Sequence, residues 1–314
     1  MEEGMAGGTD GFLDHLSSPG LGPIHRIQTA LLQELQDFAV ANGFVQLMPI
    51  MMSPFTDTLS HDVYPAEIRY LDIPLKLTAS MIFHKQLALI PRDFERIFIV
   101  SPNIRLEKAE IKSSANHLLE FSQFDIEIKD AGMEQVMDLL ESLFVQVFTN
   151  LRQRCAADLM ALGRDLPDLQ RPFPRYRSEE LERRYGADYY RRVSDQATQP
   201  CFIVNFKREF YDREEPGRPG TYRNFDLVYP DGFGEGLSGA EREHRYDDIV
   251  RRMEDLAVDQ GTFKSYLAVA AKGLLPRSAG AGIGIQRLVK FICGCRRISE
   301  VCMFDRSVAS EFTF

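Results

Sequence analysis

The sequence predicts an α+β fold in which an antiparallel β-sheet is flanked by helices. Between Asn103 and Glu127 polar and apolar side chains alternate at the period of two that a strand requires, on either side of a polar loop. Segments before and after this stretch carry apolar residues at helical spacing, and a glycine-alternating strand near the C-terminus runs into a helix. These observations together favour one sheet with helices packed against it.

Composition and charge set limits on the class of protein. The 314 residues, 44% of them hydrophobic, can bury a sizeable core in one large domain or about two ordinary ones. The formal net charge is −9 and no basic run is present, so the electrostatic footprint of a free-standing RNA-binding protein is absent. We therefore expect that tRNA and other nucleic acids are not partners.

Several features indicate a cytoplasmic protein with reduced thiols. No apolar run approaches the roughly 20 residues that a membrane span needs, and no charged segment followed by an apolar one begins the chain. Five cysteines, an odd number, suit reduced thiols. Cys293, Cys295 and Cys302 cluster in an apolar segment at a spacing that fits no common zinc pattern, which favours buried thiols over a metal site.

The N-terminal part is predicted to consist of an arm, a helix and a strand. Residues 1–20, rich in Gly, Ser and Asp, are expected to form a flexible arm. From Pro23 to Asn42 an apolar stripe recurs at helical spacing, and Gly43 ends the pattern. A strand from Phe44 to Ile50 is expected to follow.

The remaining scaffold elements follow from periodicity and β-propensity, and we assign no chemistry to residues 155–200. The segments are a strand passing into a helix over Leu75 to Leu89, a helix over Glu134 to Leu151, and strands over Cys201 to Phe206 and Tyr222 to Tyr229.

A mixed set of polar side chains shares one side of the strands between Asn103 and Glu127. Arg105 and Glu107 lie on one face of the first strand, and Phe121, Gln123 and Asp125 on one face of the second. The opposite face is apolar, so the polar set must face a cavity or water. A cation, an aromatic ring, an amide and a carboxylate are the groups that a site needs to bind a nucleotide and a zwitterionic amino acid. We therefore favour a ligand-binding cavity over the alternative that Arg105 and Glu107 form a solvated ion pair, which would contribute little energy.

Two acidic residues flank a predicted hairpin turn. Pro230, Asp231 and Gly232 indicate the turn, and a hairpin folded about it would bring Asp226 and Glu235 nearly opposite each other. Like charges directly across a ladder destabilise it. A divalent ion removes that penalty, and magnesium favours one or two carboxylates with phosphate oxygens, so the pair is a predicted Mg2+ site.

The segment from Gly280 to Lys290, GAGIGIQRLVK, is predicted to be a strand that runs into a helix. Its glycines alternate along the strand and do not open a turn, so the segment is not a dinucleotide fingerprint. Alternating glycines allow a ligand or another backbone to approach closely.

These segments, in this order, resemble the class II aminoacyl-tRNA synthetases of the aspartyl and asparaginyl branch over residues 23–306. Arg-Leu-Glu, a variable loop and His-Leu-Leu-Glu-Phe, followed by Ser-Gln-Phe-Asp, are similar to motif 2. The first long helix and its strand resemble motif 1, which forms the dimer interface, and the glycine-rich segment resembles motif 3. The resemblance implies a class II catalytic domain over residues 21–314 without an anticodon-binding domain, and a homodimer.

An ATP site with Mg2+ is implied by this resemblance. Arg105 would bind the α-phosphate, Phe121 would stack on adenine and Arg287 would meet the γ-phosphate. Arginine is suited to bind phosphate because its planar guanidinium group is always charged. Asp226 and Glu235 would hold magnesium-ATP. The other ATP-binding residues implied are Glu107, His117 and Gly284.

An amino-acid site beside the ATP is implied as well. The block L-T-A-S-M-I-F-H-K-Q resembles a family segment in which the lysine contacts the substrate carboxylate, here Lys85; a snorkelling lysine is the alternative. Arg242 resembles the arginine that grips the distal carboxylate; the alternative is an exposed arginine on a helix that Ser238 and Gly239 begin. The substrate-binding residues implied are Ser80, Lys85, Gln123, Asp125, Ser238 and Arg242.

Three positions depart from the family pattern. Ile82 stands where the family has a Gln that contacts the substrate ammonium, Ser278 where it has a His, and Gln286 where it often has a Glu. The first departure concerns how the amino acid is oriented, and the other two concern contact with the polyphosphate.

The chemistry implied is attack of a carboxylate on the α-phosphate of ATP, which gives an acyl adenylate and pyrophosphate, with Arg105 and Arg287 as catalytic cations. With an acidic surface and no anticodon barrel, the chain resembles stand-alone asparagine synthetases related to asparaginyl-tRNA synthetase. The leading hypothesis is therefore that L-aspartate, ammonia and ATP give L-asparagine, AMP and pyrophosphate, with Lys85 and Arg242 holding the α-carboxylate. The alternatives are an amide ligase or aminoacyl transferase with another amine or carrier, and a catalytically silent ligand sensor.

Overall fold

A computed structural model describes residues 11–112 and 114–308. The helices are α1 (residues 11–16), α2 (Leu21–Ala41), α3 (Ile82–Ala88), α4 (Met133–Arg154), α5 (Ala156–Ala161), α6 (Ser178–Tyr185), α7 (Tyr189–Gln196), α8 (Tyr246–Asp255), α9 (Lys264–Ala271) and α10 (Ile285–Cys293). The strands are β1 (Val45–Gln46), β2 (Met52–Ser53), β3 (Val63–Tyr64), β4 (Glu67–Tyr70), β5 (Ile73–Leu77), β6 (Arg96–Ile104), β7 (Leu106–Glu107), β8 (Glu120–Lys129), β9 (Arg175–Arg177), β10 (Cys201–Val204), β11 (Asn224–Tyr229), β12 (Gly234–Glu241) and β13 (Ser278–Gly284).

An eight-stranded sheet in the order β1-β6-β8-β13-β12-β11-β10-β9 forms the centre of the molecule. Its inner strands pair antiparallel, and only the outermost pairs, β1 with β6 and β9 with β10, are parallel. The predicted α+β fold with a mainly antiparallel sheet is therefore confirmed.

Helices α2, α4 and α10 cover one face of this sheet. Their apolar stripes pack with Phe124 and Ile126 of β8 and with Ala281 of β13 in one buried cluster. Because side chains alternate along β8, the neighbours Gln123 and Asp125 point to the other face. The amphipathic helices thus leave the polar face of the central strands free to form a cavity.

The predicted elements are found with shifted ends. The predicted strand from Phe44 to Ile50 is only the short edge strand β1, and Pro49, which has no N–H to donate, lies just beyond it. The expectation of a helix beginning at Ser238 and Gly239 is wrong, because these residues pair with Asp226 and Phe225 inside the hairpin.

Only part of the predicted N-terminal arm falls within the described residues. Residues 1–10 lie outside them, whereas residues 11–16 form α1. His15 Nε2 lies 2.8 Å from the carbonyl oxygen of Cys302, and the ring of Phe12 stacks on Phe304 at 6.1 Å between centroids. The last part of the predicted arm therefore contacts the C-terminal segment.

The predicted cysteine cluster consists of thiols in largely apolar surroundings. Cys293 and Cys295 are buried and Cys302 is partly buried. Burial raises the pKa of Cys295 to about 11 and that of Cys302 to about 12, so both thiols are protonated near neutral pH. Within residues 11–112 and 114–308, no helix combines the length and the apolar character needed to cross a bilayer.

Candidate active site

A cavity of about 240 Å³ lies against the polar face of β8, β13 and β12. It collects side chains from segments that are far apart in sequence, so it exists only in the folded chain. The predicted site residues that line it are Ser80, Lys85, Arg105, Glu107, His117, Phe121, Gln123, Asp125, Glu235, Ser238, Arg242, Gly284 and Arg287. Asp226 is buried just behind this lining, where Ser238 Oγ donates to its Oδ1 at 2.6 Å.

Arg105 lies at one end of the cavity with a guanidinium group that is only partly used. Its Nε donates to the carbonyl oxygen of Ala79 at 3.1 Å, and its Cζ lies 5.1 Å from the centroid of the Phe121 ring. Among the described residues, no carboxylate lies within ion-pair distance of it. The terminal N–H groups of Arg105 can therefore bind an anionic ligand beside the aromatic ring of Phe121.

Arg287, in the first turn of α10, faces the same cavity. Its Nη1 lies 3.2 Å from Glu235 Oε1, and its Nε donates to the carbonyl oxygen of Asn116 at 3.3 Å. Lys290, one turn further along, donates to Asn116 Oδ1 at 2.6 Å. These contacts tie the start of α10 to the end of the loop that precedes β8.

The two predicted magnesium ligands do not lie opposite each other in the hairpin. Asp226 pairs with Ser238 and Val228 pairs with Glu235, because the register shifts between these pairs and leaves Gly236 as the extra residue of a bulge. A Cβ on Gly236 would lie 2.0 Å from the Tyr229 ring, so the bulge requires glycine there. The expected register is thus wrong, but the bulge turns Glu235 to the same side as Asp226.

The hydroxyl of Ser238 shows how closely the two carboxylates approach. It contacts Asp226 Oδ1 at 2.6 Å and Glu235 Oε1 at 3.3 Å. Burial acts to raise the pKa of Glu235, but the guanidinium groups of Arg287 and Arg208 outweigh it and lower the pKa. Burial raises the pKa of Asp226 although Arg208 opposes this.

The carboxylates of Asp226 and Glu235 are chemically suitable ligands for a magnesium-ATP complex. Two carboxylates converge beside Arg287 at the edge of the cavity, and magnesium takes one or two carboxylates with phosphate oxygens supplying further ligands. Asp226 already accepts from Arg208 Nη1 at 2.8 Å and from the Tyr190 hydroxyl at 3.2 Å. Glu235 is therefore the more accessible ligand of the pair.

The other end of the cavity contains two buried ion pairs. Lys85 Nζ donates to Asp125 Oδ1 at 2.7 Å, and Ser101 Oγ donates to the other oxygen of Asp125 at 2.5 Å. Arg242 binds Glu127 through two parallel contacts of 3.1 and 3.2 Å. The alternatives of a snorkelling lysine and an exposed arginine do not apply, because both side chains are at most 5% exposed.

Glycines on β13 give these carboxylates the space they occupy. A Cβ on Gly280 would lie 2.2 Å from Glu127 Oε2, and one on Gly282 would lie 2.9 Å from Asp125 Oδ1. The close approach that the glycine alternation predicts is therefore made by side chains of the neighbouring strand β8.

The predicted departures from the family pattern lie in the same region. Ser278 donates to Glu127 Oε1 at 2.7 Å, and Gln286 Oε1 accepts from the backbone N–H of Ser122 at 3.0 Å. Ile82 is buried and lines the cavity. Ser278 thus supports the carboxylate that holds Arg242.

Glu107 and His117 lie at the Arg105 end of the cavity. The carboxylate of Glu107 is within 3.1 Å of His61 Nε2, and this hydrogen bond lowers the pKa of Glu107 against the opposing effect of burial. His117 Nδ1 lies 2.5 Å from Ser114 Oγ, and burial lowers the pKa of its imidazole. His117 is therefore held neutral beside Arg287.

Sequence reasoning missed several residues of the site. Ser101 and Glu127 continue the period-two pattern of β6 and β8, so extending that pattern by one step from Asp125 and by two steps from Arg105 would have found them. The others lie in loops or in a helical segment without a periodic pattern, and only the folded structure brings them to the site. They are Asp57, His61, Tyr190, Arg208, Glu209 and Asp212.

Comparison with known proteins gives a consistent result along almost the whole chain. A family model described as tRNA synthetases class II (D, K and N) matches residues 9–308. An aspartate–tRNA(Asp/Asn) ligase of Methanopyrus kandleri is 31% identical over 304 residues, which cover 90% of this chain and 67% of the relative. An asparagine–tRNA ligase of Thermoplasma acidophilum is 25% identical over 303 residues, covering 90% and 68%.

Solved structures show the same fold. Asparaginyl-tRNA synthetase from Pyrococcus horikoshii complexed with asparaginyl-adenylate aligns with a TM-score of 0.85 at 22% identity, over 94% of this chain and 71% of that one. Asparaginyl-tRNA synthetase from Entamoeba histolytica in complex with asparaginyl-adenylate aligns with a TM-score of 0.79 at 21% identity, over 92% and 68%.

Proposed function

The chain belongs to the class II tRNA synthetases of the D, K and N group, and from that membership we propose that it is an ATP-dependent, AMP-forming asparagine synthetase. In this proposal the β-carboxylate of L-aspartate attacks the α-phosphate of ATP and displaces pyrophosphate. Ammonia then attacks the β-acyl adenylate, and L-asparagine and AMP are released.

One observation carries the adenylation step. Arg105 and Arg287, 182 positions apart, line a single cavity together with Lys85 and Arg242. Arg105 and Arg287 are suited to stabilise charge that develops on the transferred phosphate, because their N–H groups are held in place before ATP binds. Bound magnesium would neutralise the polyphosphate, held by Glu235 and Asp226.

Three observations support aspartate and ammonia as the other reactants. Lys85 and Arg242 lie at the end of the cavity remote from Arg105, where they can hold the α-carboxylate while the β-carboxylate faces ATP. Ile82 lines the cavity where the family has a Gln that contacts the substrate ammonium. The loss of that polar contact fits an amino acid that is reversed relative to its orientation in a tRNA-charging enzyme. The formal charge of −9 also disfavours a polyanionic acyl acceptor.

A second candidate is transfer of the acyl group to tRNA. The similarity to an aspartate–tRNA(Asp/Asn) ligase and to asparagine–tRNA ligases favours it. In that case the α-carboxylate of the amino acid is activated, and the same two arginines act on the phosphates.

We also propose that the protein is a homodimer. The segment that joins β1 to β2 exposes Met48, Ile50 and Met51 on the surface, with exposed fractions of 84%, 41% and 60%. A contiguous exposed apolar segment of this kind favours a protein interface.

Trapping with hydroxylamine distinguishes the two acyl products. The protein is incubated with ATP, Mg2+, L-aspartate and hydroxylamine, and the hydroxamate is identified by mass spectrometry against both standards. We expect β-aspartyl hydroxamate together with AMP and pyrophosphate. The α-hydroxamate would support the tRNA candidate, and the absence of both products would contradict adenylation of aspartate.

A further inference from the structure

Three carboxylates line the cavity without a role in the proposed chemistry: Asp57, Glu209 and Asp212. Two of them are engaged within the protein. Asp212 Oδ2 accepts from Asn224 Nδ2 at 2.6 Å, and Asp57 Oδ1 accepts from the Tyr211 hydroxyl at 2.9 Å. Glu209 is the exception.

The carboxylate of Glu209 is largely buried but weakly held. Its side chain is 12% exposed, and the nearest cation is Arg208 Nε, 3.5 Å from Glu209 Oε2. Within the described part of the chain, no side chain donates a hydrogen bond to this carboxylate, and Arg208 Nε itself has no hydrogen-bond partner. Arg208 instead directs Nη1 to Asp226 at 2.8 Å.

The loop that carries Glu209 contacts both ends of the cavity. On one side Arg208 connects it to Asp226 and so to the proposed magnesium-ATP end. On the other side Asp212, in the same loop, lies 4.0 Å from Arg242 at the amino-acid end. The junction of these ends is where the acyl group and the phosphate must meet.

We propose that Glu209 is the proton acceptor for the ammonium ion that supplies the nucleophile, an inference that rests on the proposed function. One proton passes from ammonium to the Glu209 carboxylate. Loss of this proton frees the nitrogen lone pair, which forms the C–N bond at the acyl carbon. The bond from that carbon to the phosphate oxygen then breaks, and AMP leaves with the electron pair of that bond. The second proton is lost from nitrogen to solvent as the amide forms.

A second feature of the cavity suits an N–H donor. The side-chain oxygen of Gln123 is buried and has no hydrogen-bond partner among the described residues. A buried acceptor left without a donor is costly, and a bound ammonium or amino group would satisfy it.

The electrostatic surroundings of Glu209 agree with a role as a base. Burial and the neighbouring Asp212 raise the pKa of Glu209 to about 8, with Arg208 acting in the opposite direction and Asp57 adding to the rise. Lys85 and Arg242 face the same cavity, but Asp125 and Glu127 neutralise them. A base is most effective when its pKa lies near the working pH.

The test compares two nucleophiles on the variant Glu209→Gln. Ammonium must lose a proton before it attacks, whereas hydroxylamine is a neutral nucleophile at pH 7.5. We expect kcat/KM for ammonium to fall about 100-fold while β-hydroxamate formation and aspartate-dependent pyrophosphate exchange are retained. Glu214→Gln, which removes a carboxylate from the same loop outside the cavity lining, serves as the matched control.

The pH dependence gives a second readout. In the wild type, amide formation at constant total ammonium should rise through about pH 8 as the Glu209 carboxylate loses its proton. In Glu209→Gln this inflection should disappear, and the rate should follow the concentration of free ammonia.

Equal losses with both nucleophiles, or no loss with ammonium, would overturn the role of Glu209 while leaving the proposed function intact. A wild-type protein without aspartate-dependent pyrophosphate exchange would instead contradict the proposed function, and the inference with it.

Discussion

At the scale of single residues, most cations of the site already have a carboxylate partner. Lys85 is paired with Asp125, Arg242 with Glu127 and Arg287 with Glu235, whereas Arg105 has no acidic partner among the described residues. Burying a charge is costly unless it is paired, so the paired carboxylates allow these cations to sit in a cavity before substrate binds.

Arg287→Ala should reduce pyrophosphate exchange about 100- to 1,000-fold, because it removes a preorganised donor from the developing charge. The assay is ATP–pyrophosphate exchange with saturating aspartate. Arg183→Ala, a side chain that is 70% exposed on α6, is the control. An exchange rate equal to that of the control would remove Arg287 from the mechanism.

Glu127→Gln should lower the free energy of unfolding by about 3 kcal/mol, because it leaves the buried Arg242 without its carboxylate. Glu120→Gln on the same strand breaks a more exposed ion pair with Arg306 and should cost no more than about 1 kcal/mol. Urea unfolding followed by circular dichroism measures both changes. Equal costs would show that burial of the Glu127 pair has no energetic consequence.

Glu209 should make the stability of the protein depend on pH. Its pKa in the folded protein, about 8, lies above the ordinary value, so the folded state binds the proton more tightly than the unfolded state. The associated stability is complete below the ordinary pKa of a glutamate and is lost as the pH rises through about 8. Glu209→Gln should therefore unfold at a higher temperature than the wild type at pH 8.5, with a smaller difference at pH 6. Melting curves that shift equally at both pH values would contradict this.

At the scale of elements, a β-bulge and a glycine strand shape the site. On a regular strand residues 235 and 238 would point to opposite faces, because their spacing is odd. The extra residue Gly236 corrects this, so that Glu235 and Ser238 both face Asp226. One residue in the strand thus decides whether two carboxylates converge.

Alanine at two glycines of β13 should have different effects. At Gly280 the new Cβ would lie 2.2 Å from the carbonyl oxygen of Ile126, a backbone atom that cannot move aside, so we expect loss of folded protein. At Gly282 the nearest atoms, 2.9 Å away, are the tips of Asp125 and Gln123. Gly282→Ala should therefore fold and raise KM for the amino acid. Yield of monodisperse protein and steady-state kinetics measure the two effects, and a folded, fully active Gly280→Ala would contradict the clash.

At the scale of the whole molecule, we predict that charge on the exposed methionines between β1 and β2 separates the proposed dimer. The double variant Met48→Glu, Met51→Glu should sediment as a monomer in analytical ultracentrifugation, because burying two carboxylates in an apolar interface is costly. Leu256→Glu, at an exposed apolar residue after α8, is the control and should remain dimeric. A monomeric wild type would contradict the proposal.

The sequence by itself determined the sheet-and-helix class, most element positions and many of the polar residues that line the cavity. Period-two and helical patterns are local properties of the sequence, so they can be recognised without the fold. A family pattern identifies functional side chains by their order along the sequence, which is also known without the fold. Thus Arg105, Gln123, Asp125 and Arg287 could be found in the sequence alone.

Only the tertiary structure decided which charges meet. The pairing of Lys85 with Asp125 and of Arg242 with Glu127, the bulge at Gly236 and the position of Glu209 in the cavity lining depend on contacts between segments far apart in the chain. Local periodicity carries no information about such contacts, because they arise from how the strands and loops pack and not from the spacing within any one of them.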